Sequence, residues 1–243
     1  MQETLFIADI HLDPRNTAII SLFKRFLTQR APSAEAVYIL GDLFESWVGD
    51  DEDDPIYEDI CQQLQAATTA GTPIYIMHGN RDFLLGEQFC KKTGCQLLDE
   101  PSCIELYGHT VLLMHGDSLC TEDTGYQAFR QQVRQQTWQD QFLAAPLAQR
   151  RMIAQQARDE SQQHTKKTED TIMDVTMGAV IDVLRQYNSY CLIHGHTHRP
   201  ASHEFTYNNH RAFRHVVGAW SASRAKILCC TPESVQLETF TSA

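Results

Sequence analysis

Three histidines, His194, His196 and His198, occupy alternate positions in the stretch CLIHGHTHRP. On an extended chain alternate residues face one side, so two or three imidazoles there could converge on a metal ion. A polar loop that happens to be rich in histidine would look the same, and the rest of the chain has to separate the two readings. Asp9 and His11 stand in DIH, Asp42 in GDLF, Asn80 in GNRD and His115 in MHGD. With His196 and His198 they make seven oxygen and nitrogen donors from five separate stretches. A catalytic zinc ion takes about three protein ligands and a water, so this set suits two ions sharing a carboxylate. It contains no thiolate, which favours harder or borderline divalent ions such as Mn²⁺, Fe²⁺ or Zn²⁺. Two ions roughly 3.5–4 Å apart stabilise both oxygens of an in-line displacement and lower the pKa of bound water. Hydrolysis of a phosphate ester or anhydride is the chemistry to which the set points. Each pair alone is weak, since Asp-x-His can cap a helix and Gly-Asp is a frequent turn. The five in this order carry the reading.

The elements that must position these donors are short apolar runs, each ending in a polar cluster: TLFIADIH, AVYILGDLF, PIYIMHGNRD, TVLLMHGDS and SYCLIHGHTH. Each reads as a buried strand of four or five residues. Helical spacing follows in Ile19, Ile20, Phe23, Phe26 and Leu27, and again in Ile56, Ile60, Leu64 and Ala67. Strands alternating with helices predict an α/β layered fold, whose ligands gather at the carboxyl ends of the strands. After His198 the segments RAFRHVVGAW, AKILCC and SVQLETF read as closing strands.

One window breaks the rhythm. Residues 126–168 are rich in Gln and Ala, lack Gly and have one Pro, which predicts a helical insertion. Its seven basic residues face three acidic ones, in a chain whose formal charge is −11. A basic cap on an acidic body is expected. Trp47 and Phe83, next to donor-bearing loops, could line an apolar chamber or simply anchor those loops. Phe142, Leu143, Leu147, Met152 and Ile153, with Arg150 and Arg151 beside them, could pack the cap or touch an anionic bilayer.

The whole chain, 243 residues and 42% hydrophobic, fits a single domain over 1–243. Its acidity argues against nucleic acid as a partner. Eight cysteines without a CxxC pair read as free thiols in the cytoplasm. The N-terminus enters a strand at once rather than a signal peptide, and no apolar run approaches the roughly 18 residues of a membrane span, so any membrane contact would be peripheral.

These motifs resemble the calcineurin-like metallophosphoesterases, whose pattern is D-x-H, GD, GN-[HR]-[DE], H and GHxH. The resemblance spans about residues 4–199. It implies a four-layer fold, two packed mixed sheets flanked by helices, with a helical cap inserted over about residues 120–172. It implies two divalent ions, manganese foremost. One would lie among Asp9, His11, Asp42 and His198, the other among Asp42, Asn80, His115 and His196, with Asp42 bridging. Asp42, Asn80, Arg81, His115 and His196 would be catalytic.

Most members carry His where this chain has Arg81. Arginine does not release its proton at usable pH, but it can clamp charged oxygen. Such a site suits a leaving group that departs without a proton, namely another phosphate, whose second pKa is roughly 6. The longer stretches YILGDLFESWVGDD, HGNRDFLLG, MHGDSLCTEDTGYQAFR and LIHGHTHRPA are similar to one branch of the family. That branch cleaves a UDP-linked 2,3-diacylglucosamine in lipid A biosynthesis, giving UMP and the diacylglucosamine 1-phosphate. By this resemblance the substrate would meet Asn80, Arg81, Asp123, Tyr126 and His196, with Arg158, Ser161, Thr165, Lys167 and Thr168 contributing from the cap. A monomer on the cytoplasmic face of the inner membrane is implied. Two alternatives stand beside this: hydrolysis of a soluble nucleotide pyrophosphate, and a non-catalytic scaffold with the same fold.

Overall fold

The computed structural model describes residues 2–167 and 174–241, without the side chains of 162–167. Strands β1 (Thr4–Ile7), β2 (Ala36–Leu40) and β3 (Ile74–Met77) are the first three predicted runs. They pair in parallel, with β4 (Gln96–Leu98) at one edge. On the other side β1 pairs antiparallel with β10 (Arg224–Cys230), which pairs with β11 (Val235–Thr241), completing a six-stranded sheet. The second sheet holds five strands. Its order is β5 (Ser102–Leu106), β6 (His109–Met114), β7 (Cys191–His194), β9 (His210–Val216) and β8 (Ala201–Tyr207), with β6, β7 and β9 parallel.

Three apolar clusters fill the gaps between four layers. Helices α1 (Thr17–Arg25), α2 (Pro55–Thr69) and α3 (Glu87–Thr93) cover the outer face of the first sheet, where Phe23, Phe26 and Trp220 pack edge to face. Asn16 and Asp54 cap α1 and α2 by accepting from Ile19 and Ile56 backbone N–H, and Pro55 opens α2 where its missing N–H costs nothing. Phe6, Leu40, Leu113 and Ile193 fill the space between the sheets. Leu112 and Leu192 on the outer face of the second sheet meet Val180 and Leu184 of α7 (Met177–Gln186). The two mixed sheets flanked by helices are the expected fold. Strands β4, β5 and β8 are not legible in the sequence, because their residues are almost all exposed or half-buried and no buried apolar run marks them.

The insertion forms three helices: α4 (Thr124–Val133), α5 (Gln136–Leu143) and α6 (Leu147–Lys167). Arg150 does not face outward, which corrects the expectation that it could touch a bilayer. That side chain is 2% exposed, donates to the Val48 carbonyl at 2.6 Å and to the Ala145 carbonyl at 3.0 Å, and pairs with Asp51. Arg151 pairs with Glu52 and Asp53. Arg130 reaches Asp117 and Glu100, and Arg158 reaches Glu45 and Asp13. The positive cap is clipped to its own acidic body.

Candidate active site

All seven donors lie just past the carboxyl ends of β1, β2, β3, β6 and β7. Parallel pairing aligns those ends, so sites far apart in sequence meet on one edge. They meet through turns, not by alternation along an extended strand. Strand β7 stops at His194, whose ring points away to the Gly195 carbonyl and Arg214. Asp9, His11, Asp42, His196 and His198 all have φ between 52° and 68°, a left-handed conformation that non-glycine residues rarely adopt. Five of seven donors in that region is backbone strain concentrated at one place, held by the surrounding packing.

The donor atoms converge. His11 Nε2 lies 3.1 Å from His198 Nε2 and 3.7 Å from Asp42 Oδ2, and His198 Nε2 lies 3.6 Å from Asp9 Oδ1. Asn80 Oδ1 is 3.0 Å from both His115 Nε2 and His196 Nδ1, and His115 Nε2 is 3.9 Å from Asp42 Oδ1. Asp9–His11–His198 and Asp9–Asp42–His115 each present three ligand atoms to one point. Asp9 and Asp42 are almost wholly buried. Burying two carboxylates this close is costly without a compensating cation, and the facing lone pairs of the imidazoles offer one a place. The residues fit a pair of divalent ions.

Surrounding groups fix which atoms face inward. His115 Nδ1 donates to the Leu40 carbonyl at 2.9 Å, so Nε2 faces the other donors. Burial works to lower this ring, but Asp42, Asp117 and Asp9 raise it to about 9, and a cation bound there would take the place of the Nε2 proton. Burial and neighbouring positive charge, including His115, push His196 down to about 4. Burial and His11 do the same for His198, also to about 4, so both rings are neutral near pH 7 and able to ligate. Burial raises Asp9 to about 7, against the pull of His115. The backbone approaches closely: a Cβ on Gly79 would sit 2.1 Å from Asp42 Oδ1, and one on Gly218, itself at φ 108°, would sit 2.2 Å from Asp9 Oδ2.

Sequence reasoning missed the residues that brace this edge. Asp82, fully buried, accepts from the backbone N–H groups of Asp42, Leu43, Phe44 and Gly79 at 2.7–3.3 Å, pinning two donor-bearing loops together. It closes the GNRD motif, the one signal available. Glu100 accepts from the N–H of His115 at 2.8 Å and from Arg130 at 3.1 Å, and Arg130 donates to buried Asp117 at 2.8 Å. Burial works to raise the Asp117 carboxyl, but His115 and Arg130 hold it well below the usual range. Nothing local in the sequence marks Glu100 or Arg130.

The expected substrate contacts cluster on the cap side. Arg81 donates its backbone N–H to Asp42 at 2.8 Å and its Nη2 to Ser161 Oγ at 3.4 Å, while its buried Nε has no hydrogen-bond partner among the described residues. The Nε of Arg158 is likewise buried without one. Tyr126 stacks on His196 with ring centroids 5.9 Å apart, and its hydroxyl donates to Asp117 at 2.5 Å. Asp123 caps α4, accepting from Tyr126 N–H. The side chains of Thr165 and Lys167, and all of Thr168, lie outside the described residues.

A cavity of about 370 Å³ opens beside Asn80 and Arg81, under α4, α5 and α6. Trp47, Phe83, Phe129, Trp138, Phe142 and Ile153 line it, so Trp47 and Phe83 do face a chamber. A larger cavity, about 720 Å³, sits at the opposite ends of β6, β7 and β9 among Tyr107, Tyr190 and Phe213, and none of the seven donors reaches it.

The profile of the calcineurin-like phosphoesterase family matches residues 3–200. The chain belongs to that family. It is 47% identical to the UDP-2,3-diacylglucosamine hydrolases of Escherichia coli O7:K1 and of Shigella sonnei, over 96% of this chain and 97% of each relative. Its family motifs are those that place the seven donors, and its arginines are what attach the family fold to the insertion. All eight cysteines are free thiols, and no helix among the described residues is long and apolar enough to cross a membrane.

Proposed function

We propose that this protein hydrolyses the pyrophosphate bond of UDP-2,3-diacylglucosamine, releasing UMP and 2,3-diacylglucosamine 1-phosphate. One observation carries the reading beyond the relatives' name: an apolar chamber of about 370 Å³ opens onto Asn80 and Arg81, beside the phosphoesterase donors. A soluble nucleotide has nothing to place there. A diacylated sugar does.

The chain's residues divide the work. Asp9, His11, Asp42 and His198 would hold one divalent ion; Asp42, Asn80, His115 and His196 would hold the other. Bound there, the ions supply Lewis acidity toward the phosphoryl oxygens and acidify water. Manganese is our choice for a set of carboxylates, imidazoles and an amide. Arg81, whose buried Nε lacks a partner among the described residues, would donate to a phosphate oxygen. It neutralises the departing phosphate without giving up a proton, which an anhydride leaving group does not need. Tyr126, its hydroxyl raised well above the ordinary range by burial and by Asp117, remains a neutral wall against His196. Asp123 and Ser161, with Arg158, Thr165, Lys167 and Thr168 of the cap, complete the substrate's surroundings. The protein works as a monomer, peripherally on the cytoplasmic face of the inner membrane, where exposed Phe129, Leu143 and Met152 of the cap rather than Arg150 meet lipid.

The test compares acyl chain lengths in detergent with Mn²⁺ present. Each methylene added should raise kcat/KM until the chamber fills, by up to the equivalent of about 0.8 kcal/mol. UDP-N-acetylglucosamine should be a very poor substrate. Equal kcat/KM for it and for the diacylated compound would end the lipid reading.

A further inference from the structure

We propose that Glu45 is a positioning residue that ties the cap to the metal centre, holding His11 with one carboxylate oxygen and Arg158 with the other. Glu45 Oε2 lies 2.8 Å from His11 Nδ1, close enough to attract a proton on that nitrogen although the ring is turned off the hydrogen-bond line. Its Oε1 lies 2.9 Å from Arg158 Nη2 on α6. The three side chains are 17%, 19% and 12% exposed, shielded enough for these contacts to outweigh an ordinary surface pair. Glu45 is itself fixed: its N–H donates to the Leu12 carbonyl at 3.0 Å, beside the Leu12–Phe44 bridge that extends the β1–β2 pairing past the donors.

The consequence follows from histidine chemistry. A carboxylate at Nδ1 keeps the proton there, directs the Nε2 lone pair into the site and makes the ring a better ligand. Arg158 competes for the same carboxylate from the cap, and also pairs with Asp13 at 3.4 Å. Arg158 lines both the apolar chamber and a polar cleft containing Asp13, Glu52 and Asp54. Where α6 sits therefore sets how fully Glu45 serves His11. Cap position and affinity at the His11 side of the centre are linked, and by reciprocity metal binding there biases the cap.

This inference rests on the two-ion reading, and its test needs no lipid. Mn²⁺ alone is titrated calorimetrically into metal-free protein. Glu45→Gln should weaken one of two binding phases by about 10–100-fold, leaving the other in place. Hydrolysis lost in this variant should return as Mn²⁺ is raised, which a mere packing defect would not do. Glu45→Asp, one methylene shorter, should fall between the two and serves if Glu45→Gln does not fold. Arg158→Met should change Mn²⁺ affinity in the parent but not in the Glu45→Gln background. Unchanged Mn²⁺ binding in both Glu45 variants would overturn the proposal, as would an Arg158→Met effect of equal size in the two backgrounds. Failure of Mn²⁺ to bind the parent in two phases would instead defeat the two-ion reading beneath it.

Discussion

The body and the cap use charged residues in opposite ways. In the body, the carboxylates of Asp9 and Asp42 are buried close together with His115 beside them, an arrangement that favours a bound cation. In the cap, Arg130, Arg150, Arg151 and Arg158 each have acidic partners in the body, so the charge is cancelled within the chain. Uncompensated charge marks where a ligand belongs, and compensated charge marks where two parts of the protein join. Net charge by window cannot tell these apart, because it carries no information on which groups touch.

The sharpest way to break this contrast is in the body. On the proposed two-ion reading Asp42→Ala removes the shared ligand, and turnover should fall by several orders of magnitude while the circular dichroism spectrum stays that of the parent. A rate within tenfold of the parent would mean that the buried carboxylates are structural. Arg81→Ala comes next, with an expected loss of about 10²–10³ in kcat/KM as the clamp on phosphate is removed. Restoration by Arg81→Lys should be incomplete, since a point charge does not reproduce the guanidinium fork.

The cap's clips should give smaller effects, graded by burial. Arg150→Met deletes a buried guanidinium that satisfies two carbonyls and Asp51; because Asp51 is 61% exposed and rehydrates readily, the loss should be about 1–3 kcal/mol. It would show as faster protease cleavage around α5 and α6. Arg151→Gln, on a side chain 43% exposed, should cost less than about 1 kcal/mol. Equal effects would mean that burial does not grade these contacts.

The pH response should be the weakest of all. Hydrogen bonding to Arg150 lowers the Asp51 carboxyl, and hydrogen bonding to Arg15, with help from Arg158, lowers Asp13 to about 2. A carboxyl depressed on folding stabilises above its unfolded value of about 3.9, and that contribution is lost as pH falls through the folded value. Protection of cap amides from hydrogen exchange, corrected for intrinsic rate, should thus be flat from pH 5 to 8 and decline below about 4. A decline between pH 5 and 8 would place the controlling groups elsewhere.

How much was legible in advance follows from what each feature depends on. The five strand-end motifs, the helical insertion and the closing strands β9, β10 and β11 were readable, because apolar runs and polar stops are local properties of the chain. The seven candidate donors could be proposed from residue type and order. What only the tertiary structure decided is how they meet. His196 and His198 converge through left-handed turns, not along a strand, since β7 ends at His194 and the backbone must reverse to bring both rings to Asp9 and Asn80. Asp82, Glu100, Arg130 and Glu45 act through contacts across 15 to 113 positions of sequence, and no local pattern records a partner that distant. Arg150 makes the point most plainly: in sequence it is a cation on a polar helix, and only packing against Val48 and Asp51 makes it a buried clasp. Local composition dictates elements and donor chemistry; which charges are left uncompensated is a property of the fold.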